Sequence, residues 1–154
     1  MIPLKDYQQF VAELVAKASE LCEVRVDKIR LAVSESQLVT LLKDQPGVIV
    51  AGNIPGMELS HPVSFWLSEG ECLLAVLERM PDDYQGTWRE YEEYARLQRL
   101  MDQIVRLLIG EDFQEFCDKG EVDFSRPLNV EWEYNQYGGM NGLSVTFRLK
   151  DRTV

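Results

Sequence analysis

The sequence predicts an α+β domain: a small, mainly antiparallel sheet covered by helices. Three observations carry that prediction. Leu128 to Lys150 alternates apolar and polar residues on both arms of a glycine-rich turn, the period of half-buried strands. Val48-Ile49-Val50-Ala51 and Cys72 to Met80 are short apolar runs of the kind that form buried strands. Leu4 to Cys22 and Thr87 to Ile109 carry apolar residues at helical spacing. The expected order is α-(α)-β-β-α-β-β, closing on a C-terminal hairpin.

Phe10, Leu14, Ala18 and Leu21 form one stripe of the first helix, with Tyr7 and Val11 beside them. Pro3 suits its first turn, where a missing N–H costs little. Val24, Val26, Ile29, Leu31 and Val33 suggest extended chain, with helical continuation as the alternative. Ser34 with Gln37 fits a capping box, so a short helix should run to about Asp44 and bury Leu38, Leu41 and Leu42. Pro46-Gly47 ends it. Val48 to Ala51 is then a central strand, and Met57 to Pro62 a loop. Val63 to Leu67 reads as a strand or extended edge, and Glu69-Gly70-Glu71 as a turn. Cys72 to Met80 should pair with the first strand. Thr87 with Glu90 makes a second capping box, opening the longest helix. Trp88, Tyr91, Ala95, Gln98, Met101, Val105 and Leu108 form one stripe; Leu97, Leu100, Ile104 and Leu107 form another. This arc is wider than one sheet face needs, so the helix should touch a second element. Gly110 is the expected C-cap, and Asp112 to Cys117 a short helix anchored by Phe113 and Phe116.

If Tyr137 pairs with Gly142, Trp132 faces Phe147, Tyr134 faces Val145 and Val130 faces Leu149, all on a buried side. Glu131 then faces Arg148 on the wetter side. Glu131, Glu133, Arg148 and Lys150 are the candidate interface residues: both charge signs on one face set orientation between partners.

Composition narrows the class. The chain has 154 residues, within the size of one domain (residues 1–154). Asp plus Glu outnumber Lys plus Arg by 26 to 16, a net charge of −10, which argues against nucleic acid and anionic membrane surfaces as partners. Residues 1–23 carry charges throughout, so no secretory apolar core is expected there. The longest uncharged stretch, Gln45 to Met57, is broken by prolines and glycines and too short to span a bilayer. Cys22, Cys72 and Cys117 are odd in number and far apart, which suits packed thiols in a reducing compartment.

No constellation points to chemistry. His61 is the only histidine, and Ser60 and Ser64 beside it form no nucleophile elbow; its plain reading is a loop histidine. Gly138-Gly139 with Gly142 precedes a strand rather than a helix, so it reads as a turn and not a phosphate cradle. Glu131 and Glu133 share a face without a histidine and read as structural or interface residues. Asp82-Asp83 and Glu111-Asp112 lack the alternating oxygen ligands of a calcium loop. Trp132, Tyr134 and Tyr137 could stack bases, but acidic flanks favour core packing. Trp88, Tyr91 and Tyr94 read as core or partner contacts. No cofactor, metal or catalytic residue is expected.

In its order of elements, from Val48-Ile49-Val50 through Cys72–Met80 and Thr87–Ile109 to the Leu128–Lys150 hairpin, the chain resembles the tail-terminator and tail-completion (minor tail) proteins of long-tailed phages and prophages. In that family a mixed sheet is covered by helices, and copies assemble into a ring at the end of the tail tube. The resemblance spans nearly the whole chain as an element order and carries over no functional residue. It implies a non-enzymatic structural or assembly protein of a (pro)phage tail, acting through protein partners or as a homo-oligomer, cytoplasmic or assembled into a virion tail. The alternative is an intracellular adaptor-like α+β binding module.

Overall fold

Two long strands, β4 (Trp66–Glu78) and β7 (Met140–Thr153), pair antiparallel along their whole length and form the spine of the fold. The computed structural model describes residues 2–61, 66–110 and 120–153. In chain order, α1 (Leu4–Cys22), β1 (Lys28–Ala32), α2 (Glu35–Leu42), β2 (Val48–Asn53) and β3 (Glu58–Ser60) precede β4. A 3-10 turn (Asp82–Tyr84), α3 (Trp88–Ile109), β5 (Gly120–Val122) and β6 (Asn129–Gln136) lie between β4 and β7. The flank of β4 is shared by β2 and β3, and that of β7 by β5 and β6.

The fold is α+β, and its sheet is mixed. β1 runs parallel to β2, while the other pairings are antiparallel. The parallel pair follows from α2, which supplies the crossover that two parallel neighbours require. The extended reading of Glu23 to Val33 is thus realised as β1. Glu23 takes a left-handed conformation (φ 57°) and ends α1.

Four local expectations are corrected. Met57 to Pro62 holds β3 and is not simply a loop. Glu69-Gly70-Glu71 is not a turn: it is strand interior, because Glu69, Gly70 and Glu71 pair with Lys150, Leu149 and Arg148. Ser34 does cap α2 by accepting from the Gln37 amide at 3.2 Å, but the Gln37 side chain accepts from Val33 rather than Ser34. Thr87 caps nothing: its hydroxyl donates to the Tyr84 carbonyl at 2.6 Å, and Glu90 accepts from Gly86. Asp112 to Cys117 lies outside the described residues, as do Val63 to Phe65.

The main core lies between one sheet face and the pair α1 and α3. Phe10, Leu14 and Ala18 meet Leu97, Leu100, Ile104 and Leu108 there, over Cys72, Leu74, Val76, Val145, Phe147 and Leu149. The Phe10 and Phe147 rings meet edge to face, with centroids 6.5 Å apart. Leu21, expected on the same stripe, points out and is half-exposed. A smaller core lies on the opposite face, where Leu38 and Leu42 of α2 cover Ile49, Ala51, Ala75, Leu77 and Met140. Both faces of β2 are therefore covered, which is why Val48 to Ala51 reads as an unbroken apolar run. α2 covers only one end of that second face. The rest carries Glu69, Glu71, Glu131, Glu133, Arg148 and Lys150.

Candidate protein-contact site

The hairpin turn sets the position of every candidate residue. Tyr137, Gly138 and Gly139 all have positive φ (51°, 85° and 106°) and close a three-residue loop between Gln136 and Met140. Two glycines make that run of left-handed residues accessible. Met140 to Gly142 is thereby freed to join β7. The register differs from the expected one: Trp132 faces Leu143, Val130 faces Val145 and Glu131 faces Ser144. The surplus residue on β6 is absorbed by a bulge between Glu133 and Gln136, where Asn135 has φ 51°. An even slip keeps each side chain on its expected face but changes all its partners.

The four candidate charges therefore share the open sheet face without forming the expected pairs. Glu133 accepts a hydrogen bond from the Ser144 hydroxyl at 2.7 Å. Arg148 turns toward Glu69 and Glu71 on β4, at 3.8 and 4.0 Å. Lys150 lies 3.4 Å from Glu121 and 3.7 Å from Asp123. Burial alone would raise the Asp123 carboxyl; hydrogen bonds from the Ser125 hydroxyl and amide, with Lys150 nearby, hold it below the usual range. Arg148 and Lys150 are thus committed within the chain. Glu131 and Glu133 have no ion-pair partner among the described residues.

The larger departure is on the helix side of β6. Val130, Trp132 and Tyr134 share a face with buried Leu143 and Val145, yet are 46%, 55% and 59% exposed. Trp132 is not core. β6 is the outermost strand on its side among the described residues and lies past the cover of α1 and α3. Tyr94 of α3 meets the Trp132 ring edge to face, with centroids 5.5 Å apart. Tyr91 and Trp88 extend the aromatic surface along α3, themselves in edge-to-face contact at 6.1 Å. A cavity of 330 Å³ lies between the two elements, lined by Tyr91, Tyr94, Ala95, Gln98, Trp132 and Tyr134. The wide apolar arc of α3 meets both the sheet and α1, and its N-terminal aromatic residues Trp88, Tyr91 and Tyr94 extend past that core toward the overhanging edge of β6.

A more polar cavity of 480 Å³ adjoins it at the turn end of the hairpin, between Arg79, Asp82, Gln85, Glu90, Tyr134 and Asn141. Neither cavity is bordered by His61, which is exposed with its ring 5.0 Å from that of Trp66. The Cys72 thiol is buried in the main core, and burial foremost pushes it up to about 12, so it offers no thiolate at neutral pH. Among the described residues no group of three or more His, Cys, Asp or Glu is placed to hold a metal ion, and no helix is long and apolar enough to cross a membrane. No protein-family model matches the chain, and no curated protein sequence matches it.

Proposed function

We propose that this chain is a non-enzymatic assembly protein acting through protein–protein contacts, a tail-assembly component of a phage or prophage. The observation that carries the reading is the edge strand β6, five of whose residues pair regularly with β7 while its outer side meets no strand among the described residues. An open strand edge is a template for pairing. Exposed aromatic residues beside it supply the contact area that protein interfaces favour.

Co-expression with the products of the genes flanking its own tests this reading. Co-purification with a tail or head-completion product, or self-association of the purified chain, is the expected result. A chain that stays monomeric at its highest soluble concentration and retains none of those products overturns it.

A further inference from the structure

Resting on that reading, we propose that the occupant of the β6 edge is the β1 edge of a second copy of this chain, joined head to tail by antiparallel strand pairing. The two outermost strands of the β1-β2-β4-β7-β6 path are complementary. β1 reads Lys-Ile-Arg-Leu-Ala and the regular part of β6 reads Asn-Val-Glu-Trp-Glu, five residues each. Neither Lys28 nor Arg30 has an ion-pair partner among the described residues, and the same holds for Glu131 and Glu133. Lys28 instead donates to the Gln45 side chain, and Arg30 to the Ile29 carbonyl at 3.1 Å.

Strand direction and facing agree with the pairing. β1 and β2 run one way, β4 the other, β7 back again, and β6 opposite to β7. β6 is therefore antiparallel to β1, and a second copy in the same orientation meets it antiparallel. Ile29 and Leu31 pack toward the α1–α3 core, the side on which Val130 and Trp132 lie. Lys28 and Arg30 fall on the other side, with Glu131 and Glu133. One register then satisfies both faces: Lys28 opposite Glu133, Ile29 opposite Trp132, Arg30 opposite Glu131 and Leu31 opposite Val130. The space for the aromatic ring also exists. A groove of 680 Å³ runs beside β1, and small residues of α1, Ala12, Ala16 and Ser19, line it opposite Val26 and Ile29.

The symmetric alternative, β6 against β6 of a second copy, is disfavoured by the same residues. The antiparallel register that pairs all five regular residues sets Glu131 against Glu131, and the shift that stacks Trp132 on itself sets Glu131 against Glu133; like charges directly opposite destabilise a pair. A head-to-tail contact has no such conflict, and closes into a ring or extends into a filament according to its rotation.

Charge exchange tests the contact. Glu131→Lys with Glu133→Lys makes both edges basic; Lys28→Glu with Arg30→Glu makes both acidic. Sedimentation should be run at about 0.15 M salt, where screening of the overall negative charge leaves close pairs to decide. The wild type should associate with concentration. Each double variant, its fold checked by circular dichroism, should need about tenfold or more higher concentration to do so. An equimolar mixture of the two should recover association, because each basic edge then meets an acidic one. A second variant, Arg30→Cys with Glu131→Cys, should form a disulfide-linked ladder on oxidation while either single change gives none. Wild-type association unaffected by both reversals, without a ladder, overturns this contact and leaves the assembly reading standing. A wild type that stays monomeric overturns the contact, and together with no retained flanking product it overturns the assembly reading.

Discussion

The Arg79 guanidinium donates to the Gly138 carbonyl at 2.7 Å and, from its other terminal nitrogen, to the Leu42 carbonyl at 3.2 Å. One side chain at the end of β4 thus ties the hairpin tip to the last turn of α2. The Leu42 carbonyl is one of the acceptors that the end of a helix leaves unsatisfied. Gly138 rests on the same helix, where a Cβ would lie 3.8 Å from Val39. Arg79→Ala should therefore destabilise the fold by about 1–3 kcal/mol, the range for charged hydrogen bonds. Hydrogen exchange at the Tyr137–Gly139 turn should speed up more than exchange in α1. Equal acceleration everywhere would mean that Arg79 does not act on the tip.

Trp132 and Phe147 are expected to respond differently to truncation. Phe147 is 2% exposed and packs on Phe10, so Phe147→Ala should cost about 3–5 kcal/mol. Trp132 is over half exposed and has one ring contact, so Trp132→Ala should cost about 1 kcal/mol or less in the isolated chain. Urea midpoints of the two variants decide this. Similar losses would place Trp132 in the core.

That contrast also shows what was legible in the sequence. Alternation assigns a side chain to a face, and Trp132 is on the face that alternation assigns. It does not say how far the helical layer extends over that face, so overhang and core look alike. The register is ambiguous in the sequence for a related reason. Gly138, Gly139 and Gly142 offer several places for a turn, and the two ladders keep the same facing because they differ by an even step (Leu143 in place of Phe147). Only the positive φ at Tyr137 and the bulge at Asn135 select between them. Arg148 and Lys150 were assigned to the right face but found closer carboxylates on β4 and β5, elements distant in sequence. The basic edge of β1 is not legible in the sequence, because the spacing of Val24, Val26, Ile29, Leu31 and Val33 leaves extended chain and helix both open, and nothing local says which strand ends a sheet.

Gly142 provides a third expected outcome. A Cβ built there would fall 1.8 Å from the Val76 carbonyl oxygen, on the strand opposite. Backbone cannot yield as a side-chain tip can. Gly142→Ala should push β7 away from β4 and cost about 3 kcal/mol or more, within the tail of single-residue effects. Gly86→Ala is the control: its φ is also positive (74°) but a Cβ meets nothing within 4 Å. It should cost only about 1 kcal/mol. Thermal melts of both variants would show whether crowding or conformation governs; equal losses would exclude the crowding at Val76.

The end of β4 sets the response to pH. Arg96 on α3 places one terminal nitrogen 2.9 Å from both Glu78 oxygens and also against Glu93. Burial, foremost, pushes the Glu78 carboxyl up from its ordinary 4.5 to about 7; Glu93 adds to the rise and Arg96 opposes it. Burial would raise Glu93 too, but Glu78 and Arg96 together hold it below its ordinary value. The two carboxyls thus divide the roles: Glu93 carries the charge that pairs with Arg96, while Glu78 retains a proton until near neutrality. A carboxyl whose folded pKa lies above its unfolded one holds more protons in the folded state. Its contribution to stability is full below about pH 4.5 and declines as pH rises through about 7. Glu78→Gln has no such proton to lose. Its denaturation midpoint should therefore fall less than the wild type's between about pH 4.5 and about pH 8. Removing Arg96 (Arg96→Met) should do the opposite, because two neighbouring carboxylates then face each other without a cation, and the decline should steepen. Urea melts of the three proteins across that window measure it. Wild-type and Glu78→Gln profiles that run parallel would show that Glu78 titrates as an ordinary surface carboxyl.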